Sequence, residues 1–365
     1  MNLVSKVEIF EKTKEEKLAS VLESFNIKAK SITLMEGSYV DSYDIKLLAG
    51  SRASKLDRVL VDIGMALSSH CHPVGYPVMK NGSYRIELQT KEIASPSFSE
   101  VRSAMSEENL FLPIAIGVGA SGEMFFRDLN RIPNLLVGGT TGSGKSVLLH
   151  SFILSLIAGD ADIFLVDPKM VEFGVYEDLH QVKSIVNSAD EAEGVIETLI
   201  SLMERRFSIL KKAKSRNIIE YNLSTRGGDR LSPVALVIDE WADLVLQNKS
   251  IQKSLCLLAQ KGRAAGISII LATQRPSANV VSGLIKANFP GRIALRTSSA
   301  VDSRVILDAS GAEKIEDIGM GLYIDGVTSK PTQFRAANIV DISGELDNLG
   351  PRMRGSLPFW RRIFN

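Results

Sequence analysis

Gly139, Gly144, Lys145 and Ser146 stand in the spacing G-x-x-x-x-G-K-[ST], inside LLVGGTTGSGKSVLLHSFILSLIAG at residues 135–159. One apolar run precedes the glycines and another follows, so a strand should lead into the turn and a helix leave it near Lys145. Glycines there let the backbone curl so that successive N–H groups point inward around phosphate oxygens, and the helix adds its positive N-terminal end. Lys145 is then placed to neutralise β- and γ-phosphates, and the Ser146 hydroxyl to ligate Mg2+. A purely structural glycine turn would leave Lys145 without a purpose. The residues expected to hold the nucleotide are Gly139, Thr140, Thr141, Gly142, Ser143, Gly144, Lys145, Ser146 and Val147.

Phosphate chemistry also needs carboxylates, and ALVIDEWADL supplies them about a hundred residues on. Asp239 ends an apolar strand and suits the Mg2+ shell beside Ser146; Glu240 is placed to polarise the attacking water. The run GISIILATQRP ends in Thr273-Gln274. A polar side chain at that strand end lies between the phosphate-binding strands and can sense a γ-phosphate, with Arg275 following at once. Asp167 and Lys169, in VDPKM, also end a strand and are expected to shape the edge of the site rather than react. These groups together imply binding and hydrolysis of a nucleoside triphosphate.

Such groups need a sheet to carry them. From about residue 111, short continuous apolar runs (NLLVGG, DIFLVD, VALVID, GISIILAT, RIAL) alternate with longer helical patterns. Continuous runs suit strands buried on both faces of a parallel sheet, an α/β nucleotide-binding architecture. The first ~90 residues read instead as a small α+β unit. There, Leu18, Val21, Leu22 and Phe25 form one helical face, and Leu56, Val59, Leu60, Ile63 and Leu67 another. Asn81-Gly82 before alternating Tyr84, Ile86 and Leu88 marks a hairpin. A polar stretch with a proline, KEIASPSFSEVRSAMSEEN, separates the two textures. The expected division is a small α+β domain at 1–110, a nucleoside-triphosphatase domain at 111–345 and a basic, aromatic tail at 346–365. The tail carries four arginines with Phe359, Trp360, Ile363 and Phe364, a pattern that reads first as a strap onto the core, with a docking peptide for a protein partner or a membrane-surface segment as the alternatives.

Composition is that of a soluble globular protein, 45% hydrophobic and 23% charged. No apolar stretch reaches the ~20 residues of a bilayer span, and the Glu-rich N-terminus is no secretory signal. Cys71 and Cys256 are far apart and suit a reducing cytoplasm. His70-Cys71-His72 has adjacent ligand types with Pro73 behind them, a turn rather than a metal site. Net charge is +1, but residues 249–308 hold nine basic side chains against Asp302 and Asp308, a local +7 on a body of −6. Such a field suits a polyanion channel; scattered solvated side chains would give the same count.

The motifs GTTGSGKS, VDPKMVEFGVYE, MERRF, RNIIEYN, VIDEWADL, KGRAAG, LATQRPS, GLIKANFPGRIAL, DSRVILD and GAEKIEDIGMGLYI occur in an order that resembles FtsK/SpoIIIE-type DNA translocases. The likeness runs from about 130 to 325, and the N-terminal unit is similar to the smaller domain before the motor in that family. It implies a RecA-like P-loop core preceded by a small α+β domain, with ATP and Mg2+ as cofactors. It also implies a homo-oligomer, a hexameric ring with double-stranded DNA through its centre. By position Arg263 looks like an arginine finger acting on a neighbour's ATP, with Arg304 the competing candidate. The family's DNA loops map onto Arg275 and Lys286; Ala300 stands where relatives commonly carry a lysine, and Arg296 is the expected substitute. The expected motor is cytoplasmic and stripped, without membrane anchor or winged-helix module, a build that suits a phage or mobile element. Relatives of this fold also serve conjugation, secretion or genome packaging. A non-hydrolysing ATP-gated DNA clamp is the third reading, and Glu240 argues against it.

Overall fold

The computed structural model describes residues 12–37, 40–69, 73–78, 81–89, 94–108, 110–120, 122–225, 229–326 and 331–349. His70-Cys71-His72 and the tail from residue 350 onward lie outside the described residues. The chain divides into two compact units, Met1–Ile93 with Ala120–Gly122, and Ala94–Gly119 with Glu123–Asn365.

In the smaller unit, the Thr13 hydroxyl accepts from the Glu16 N–H while the Glu16 carboxylate accepts from the Thr13 N–H, a reciprocal cap that starts α1 (Lys14–Ser24). An antiparallel sheet follows, ordered β1 (Ala29–Met35), β2 (Val40–Leu47), β4 (Ser83–Gln89), β3 (Val74–Val78), with α2 (Ala53–Ala66) between β2 and β3 in the chain. Leu18, Leu22, Leu56, Leu60 and Ile63 pack on Tyr43, Ile45, Tyr84, Ile86 and Leu88. Phe25 departs from the expected face: α1 ends at Ser24, so Phe25 becomes its C-cap at 37% exposure and Ile27 fills the core instead.

The larger unit opens with a helix where the sequence reads as a polar spacer. Ser97 and Glu100 form a second reciprocal cap, and α3 (Phe98–Ser106) buries Phe98, Val101 and Met105. Its serines and glutamates had masked that stripe. Then come β5 (Pro113–Gly119), β6 (Met124–Asp128), β7 (Asn134–Gly138), α4 (Lys145–Ala158), β8 (Asp162–Val166), β9 (Val182–Val186), α5 (Ala189–Ala213), α6 (Ile218–Ser224) and β10 (Val234–Ile238). The remaining elements are α7 (Trp241–Gln247), α8 (Ile251–Lys261), β11 (Ile267–Thr273), α9 (Gly283–Asn288), β12 (Gly291–Leu295), α10 (Ala300–Leu307), β13 (Met320–Ile324), β14 (Thr332–Ala336) and α11 (Ile342–Asn348). They build a ten-stranded sheet ordered β6-β5-β14-β13-β12-β7-β11-β10-β8-β9. From β12 to β9 all neighbours are parallel; β13, β14, β5 and β6 add an antiparallel flank.

Successive strand residues point to opposite faces, so each face needs its own core. Leu135, Val137, Ala235, Val237, Ile270 and Ala272 face α4. Leu136, Leu236, Ile238, Ile269 and Leu271 face α5, α7 and α8. This two-sided burial is why these runs are continuously apolar. Helix α4 is buried almost all round, and its two inner serines are satisfied by β5: Ser151 Oγ donates to Ala115 O at 2.8 Å, and Ala115 N–H donates to Ser155 Oγ at 3.0 Å.

Candidate nucleotide site

The site is assembled at the C-terminal ends of five adjacent parallel strands, β12, β7, β11, β10 and β8. The loop after β7 turns on Gly142 and Gly144, at φ +75° and +97°, where an L side chain is strained. A Cβ on Gly144 would also stand 3.1 Å from the backbone nitrogen of Gly319. Neighbouring strands hold the loop: Thr140 donates its N–H and hydroxyl to Arg296 O at 2.9 and 3.1 Å, and Gly319 N–H donates to Ser143 O at 3.0 Å. Ser143 Oγ is buried and has no partner among the described residues. Val147 is half-buried on the first turn of α4.

Lys145 and Asp239 are both 3% exposed and form an ion pair. The ammonium also donates to Asp239 O at 2.8 Å. Glu240, one residue on, is buried under donors from the next strand. Its carboxylate accepts from the Thr273 hydroxyl at 2.6 Å, from Gln274 N–H at 2.9 Å and from Ala242 N–H at 3.3 Å, which caps α7. The Gln274 side chain in turn accepts from the Thr141 hydroxyl at 2.8 Å. A continuous path therefore joins the phosphate loop to Glu240 through Gln274.

Two groups went unassigned from sequence. Ser146 donates its hydroxyl to Glu172 at 2.8 Å, and the other oxygen of Glu172 lies 3.5 Å from His150 Nε2. His150 Nδ1 meets the Tyr176 hydroxyl at 2.8 Å. Burial pushes His150 below its ordinary value against the pull of Glu172, so the ring is neutral at neutral pH. Glu172 lay within the quoted VDPKMVEFGVYE, but nothing local marked it. What brings it in is Asp167, buried at the end of β8, whose carboxylate accepts from the N–H groups of Lys169, Glu172 and Phe173 at 3.2, 2.9 and 3.1 Å. Asp167 thus organises the loop. The hard oxygen donors of Ser146, Asp239 and Glu172, one hydroxyl and two carboxylates, fit Mg2+, which uses few protein ligands beside substrate phosphates.

The other assigned residues lie elsewhere. Arg263 sits in a 3-10 turn, Gly262–Ala265, before β11, with its Nε donating to Asn130 O at 3.0 Å. Thr273 pairs with Gly138 in register, so the length of β11 separates Arg263 from its own phosphate loop by roughly 20 Å. An arginine side chain cannot span that gap. Arg275 is exposed just past the end of β11. Arg296 follows β12, with its carbonyl given to Thr140 and NH1 donating to Glu316 O at 3.3 Å. Lys286 is near the opposite end of β12: its carbonyl accepts from Arg292 NH2 at 3.1 Å, and its ammonium pairs with Asp308 at 2.6 Å, which Arg292 also contacts. The structure therefore does not gather Arg275, Lys286 and Arg296 into one patch of a single chain. Arg304 is exposed on α10.

Family models for the FtsK alpha domain and the FtsK/SpoIIIE family match residues 5–88 and 101–278 of this sequence. The chain belongs to the FtsK/SpoIIIE family. It is 36% identical over 343 residues to the DNA translocase FtsK of Halalkalibacterium halodurans, covering 89% of this chain and 43% of that protein. For the DNA translocase FtsK of Listeria monocytogenes the identity is 35% over 350 residues, with 92% and 46% covered. The chain thus spans less than half the length of these curated relatives. The pCW3 conjugation coupling protein TcpA, solved in monomer form with ATPγS, is similar over 92% of this chain and 99% of that one, with a TM-score of 0.66 and 25% identity. The cytoplasmic domain of the Thermomonospora curvata type VII secretion ATPase EccC shares the fold, with a TM-score of 0.59 and 24% identity over 68% of this chain and 32% of that one. The RecA-like P-loop architecture of this family is the one observed here. Among the described residues no helix is long and apolar enough to cross a membrane.

Proposed function

We propose that this chain is an ATP-driven motor that moves double-stranded DNA, working as a ring of copies, a hexamer by family likeness. The observation that carries the reading is the row Lys145–Asp239, Glu240–Gln274–Thr141 at one end of the sheet, with Arg263 held out of its reach at the other. Mg2+, when bound, neutralises charge on the β- and γ-phosphates. Lys145 turns its ammonium to the same phosphates and Ser146 its hydroxyl to the metal. Glu240, oriented by the Thr273 hydroxyl and the Gln274 N–H, polarises the attacking water. Gln274 reports the γ-phosphate: displacing the Thr141 hydroxyl moves the residue whose amide holds Glu240, and Arg275 is next in the chain. Arg263 completes the site of a neighbouring copy, where it stabilises charge in the transition state. Arg275, Lys286 and Arg296 offer phosphate contacts that carry no sequence preference, as a motor on any DNA requires.

The fold likeness to TcpA over nearly its whole length favours a second reading within this class, a motor coupling DNA to conjugation in a mobile element or phage. The deciding experiment is steady-state ATP hydrolysis with and without long duplex DNA, beside Lys145→Ala and Glu240→Gln controls. Strong stimulation by duplex that fades with added salt is expected. Hydrolysis indifferent to DNA would point to a protein substrate; absence of hydrolysis would favour an ATP-gated clamp.

A further inference from the structure

Helix α5 buries an apolar stripe of Ile196, Leu199, Met203 and Leu210, and within that face it also buries Arg206. The side chain is 4% exposed and forms no ion pair among the described residues. NH1 donates to Ala265 O at 2.7 Å and NH2 to Ser232 O at 2.8 Å, while Nε has no acceptor. Burial pushes the guanidinium down to about 10, opposed by Asp162, so it stays protonated at neutral pH. A buried cation with only carbonyl partners is a poor way to stabilise a core, where an apolar side chain of similar size packs better. What it does achieve is to fix two backbone points.

One of those points ends the turn that carries Arg263. Gly262–Ala265 is held from several sides. Gly266, at φ +72°, passes its carbonyl to Val234 N–H at 2.8 Å and its N–H to Arg263 O at 3.1 Å. Asn134 Nδ2 donates to Ala259 O at 2.9 Å, at the end of the preceding helix. Of these ties only Arg206 brings a charged donor into the turn. The Arg263 side chain itself stays exposed.

We propose that Arg206 is the positioning residue for Arg263, locking the turn from which that arginine reaches the nucleotide of a neighbouring copy. The inference rests on the reading of Arg263 as acting in trans. Releasing Ala265 O lets the turn drift, and a misplacement of about 1 Å at a reacting group costs on the order of 100-fold in rate. The competing role is structural and in cis, because Arg206 also ties the entries of β10 and β11, which end in Asp239-Glu240 and Thr273-Gln274.

Subunit mixing separates the two. Arg206→Met is assayed for ATP hydrolysis on duplex DNA alone and with an excess of Glu240→Gln, whose own site is dead and whose turn is intact. Alone, Arg206→Met should lose about 10- to 100-fold in kcat with little change in KM for ATP. Mixed, its phosphate loop meets the neighbour's Arg263 and turnover recovers. Arg263→Ala is carried through the same mixing. Recovery of Arg263→Ala without recovery of Arg206→Met would overturn the positioning role and leave the trans reading standing. Failure of both to recover would sink the trans reading itself. Full activity of Arg206→Met alone would also refute the proposal. If Arg206→Met does not fold, Arg206→Lys, which keeps one charged donor, is expected to lose less rate and to recover in the same way; a loss that mixing leaves in place would refute it.

Discussion

Removing the ammonium of Lys145 should unfold this protein more readily, beyond any effect on ATP. Lys145 and Asp239 are both 3% exposed, and the ammonium bonds the carboxylate and main-chain oxygen of the same residue. Taking one partner from a buried pair strands the other charge, at a cost of about 3–5 kcal/mol. In a unit of this size each kcal/mol lowers Tm by roughly 2–4 °C, so Lys145→Met should melt about 6–20 °C below the parent. Asp239→Asn should also destabilise, because it leaves Lys145 without its anion. The double variant has no stranded charge, so its loss should fall short of the sum of the singles by at least ~1 kcal/mol, a coupling typical of contacting residues. The assay is thermal or urea unfolding of all four proteins without nucleotide, followed by near-ultraviolet dichroism. Additive losses, or a Lys145→Met protein melting within about 1 °C of the parent, would refute the claim that the pair is buried and mutually dependent.

Four further expectations can be checked directly. Gly144→Ala puts a methyl against the Gly319 backbone at a φ of +97°, so it should cost about 1–3 kcal/mol in unfolding experiments and abolish nucleotide binding. Glu240→Gln should lower ATP turnover by about 100-fold or more while keeping nucleotide affinity, and parent-level turnover would remove its assigned role. Asp308→Asn releases Lys286 and Arg292 from a shared carboxylate, so duplex binding should tighten and its salt dependence steepen by about one counterion; Lys286→Ala should move both the other way. Burial pushes the Asp308 carboxyl up, but the bonds from Lys286 and Arg292 outweigh it and hold the folded value below the ordinary 3.8. A carboxyl lowered on folding stabilises above its unfolded value and loses that contribution as pH falls through the folded one. The melting difference between parent and Asp308→Asn should therefore be constant near neutral pH and shrink below pH ~4.

What the sequence disclosed was what short stretches settle by themselves. The phosphate loop, the β10 carboxylates and the Thr273-Gln274 pair each sit at the end of a continuously apolar strand, and two-sided burial writes that signal locally. Helix α3 escaped notice because its three buried residues are diluted by serines and glutamates. Strand β14, an inner strand interrupted by Thr332, Gln333 and Arg335, gave no such run. Glu172 and Arg206 were illegible for a different reason: a glutamate in a loop and an arginine on a long helix read as solvated until the fold supplies Ser146 and Ala265 O as partners. Lys286 shows the reverse case. Charge counting placed it in a basic field, and only the folded chain pairs it with Asp308, one of the two acids in that stretch.

Strand β7 lies between β11 and β12 in the sheet, yet both are far downstream in the chain. A ribosome that has just made Ser146 must add about 150 more residues before Leu295 exists, a wait of roughly 8–30 s at ~5–20 residues per second. Through that interval the loop sequence is complete but has no walls. Helix α4, whose side chains from Leu148 to Ile157 are all destined for burial, has only part of its cover. Nascent chains stopped short of β12 should therefore stick to chaperones and bind no nucleotide, and pulse-labelled full-length protein should become protease-resistant only after residue 295 has cleared the exit tunnel.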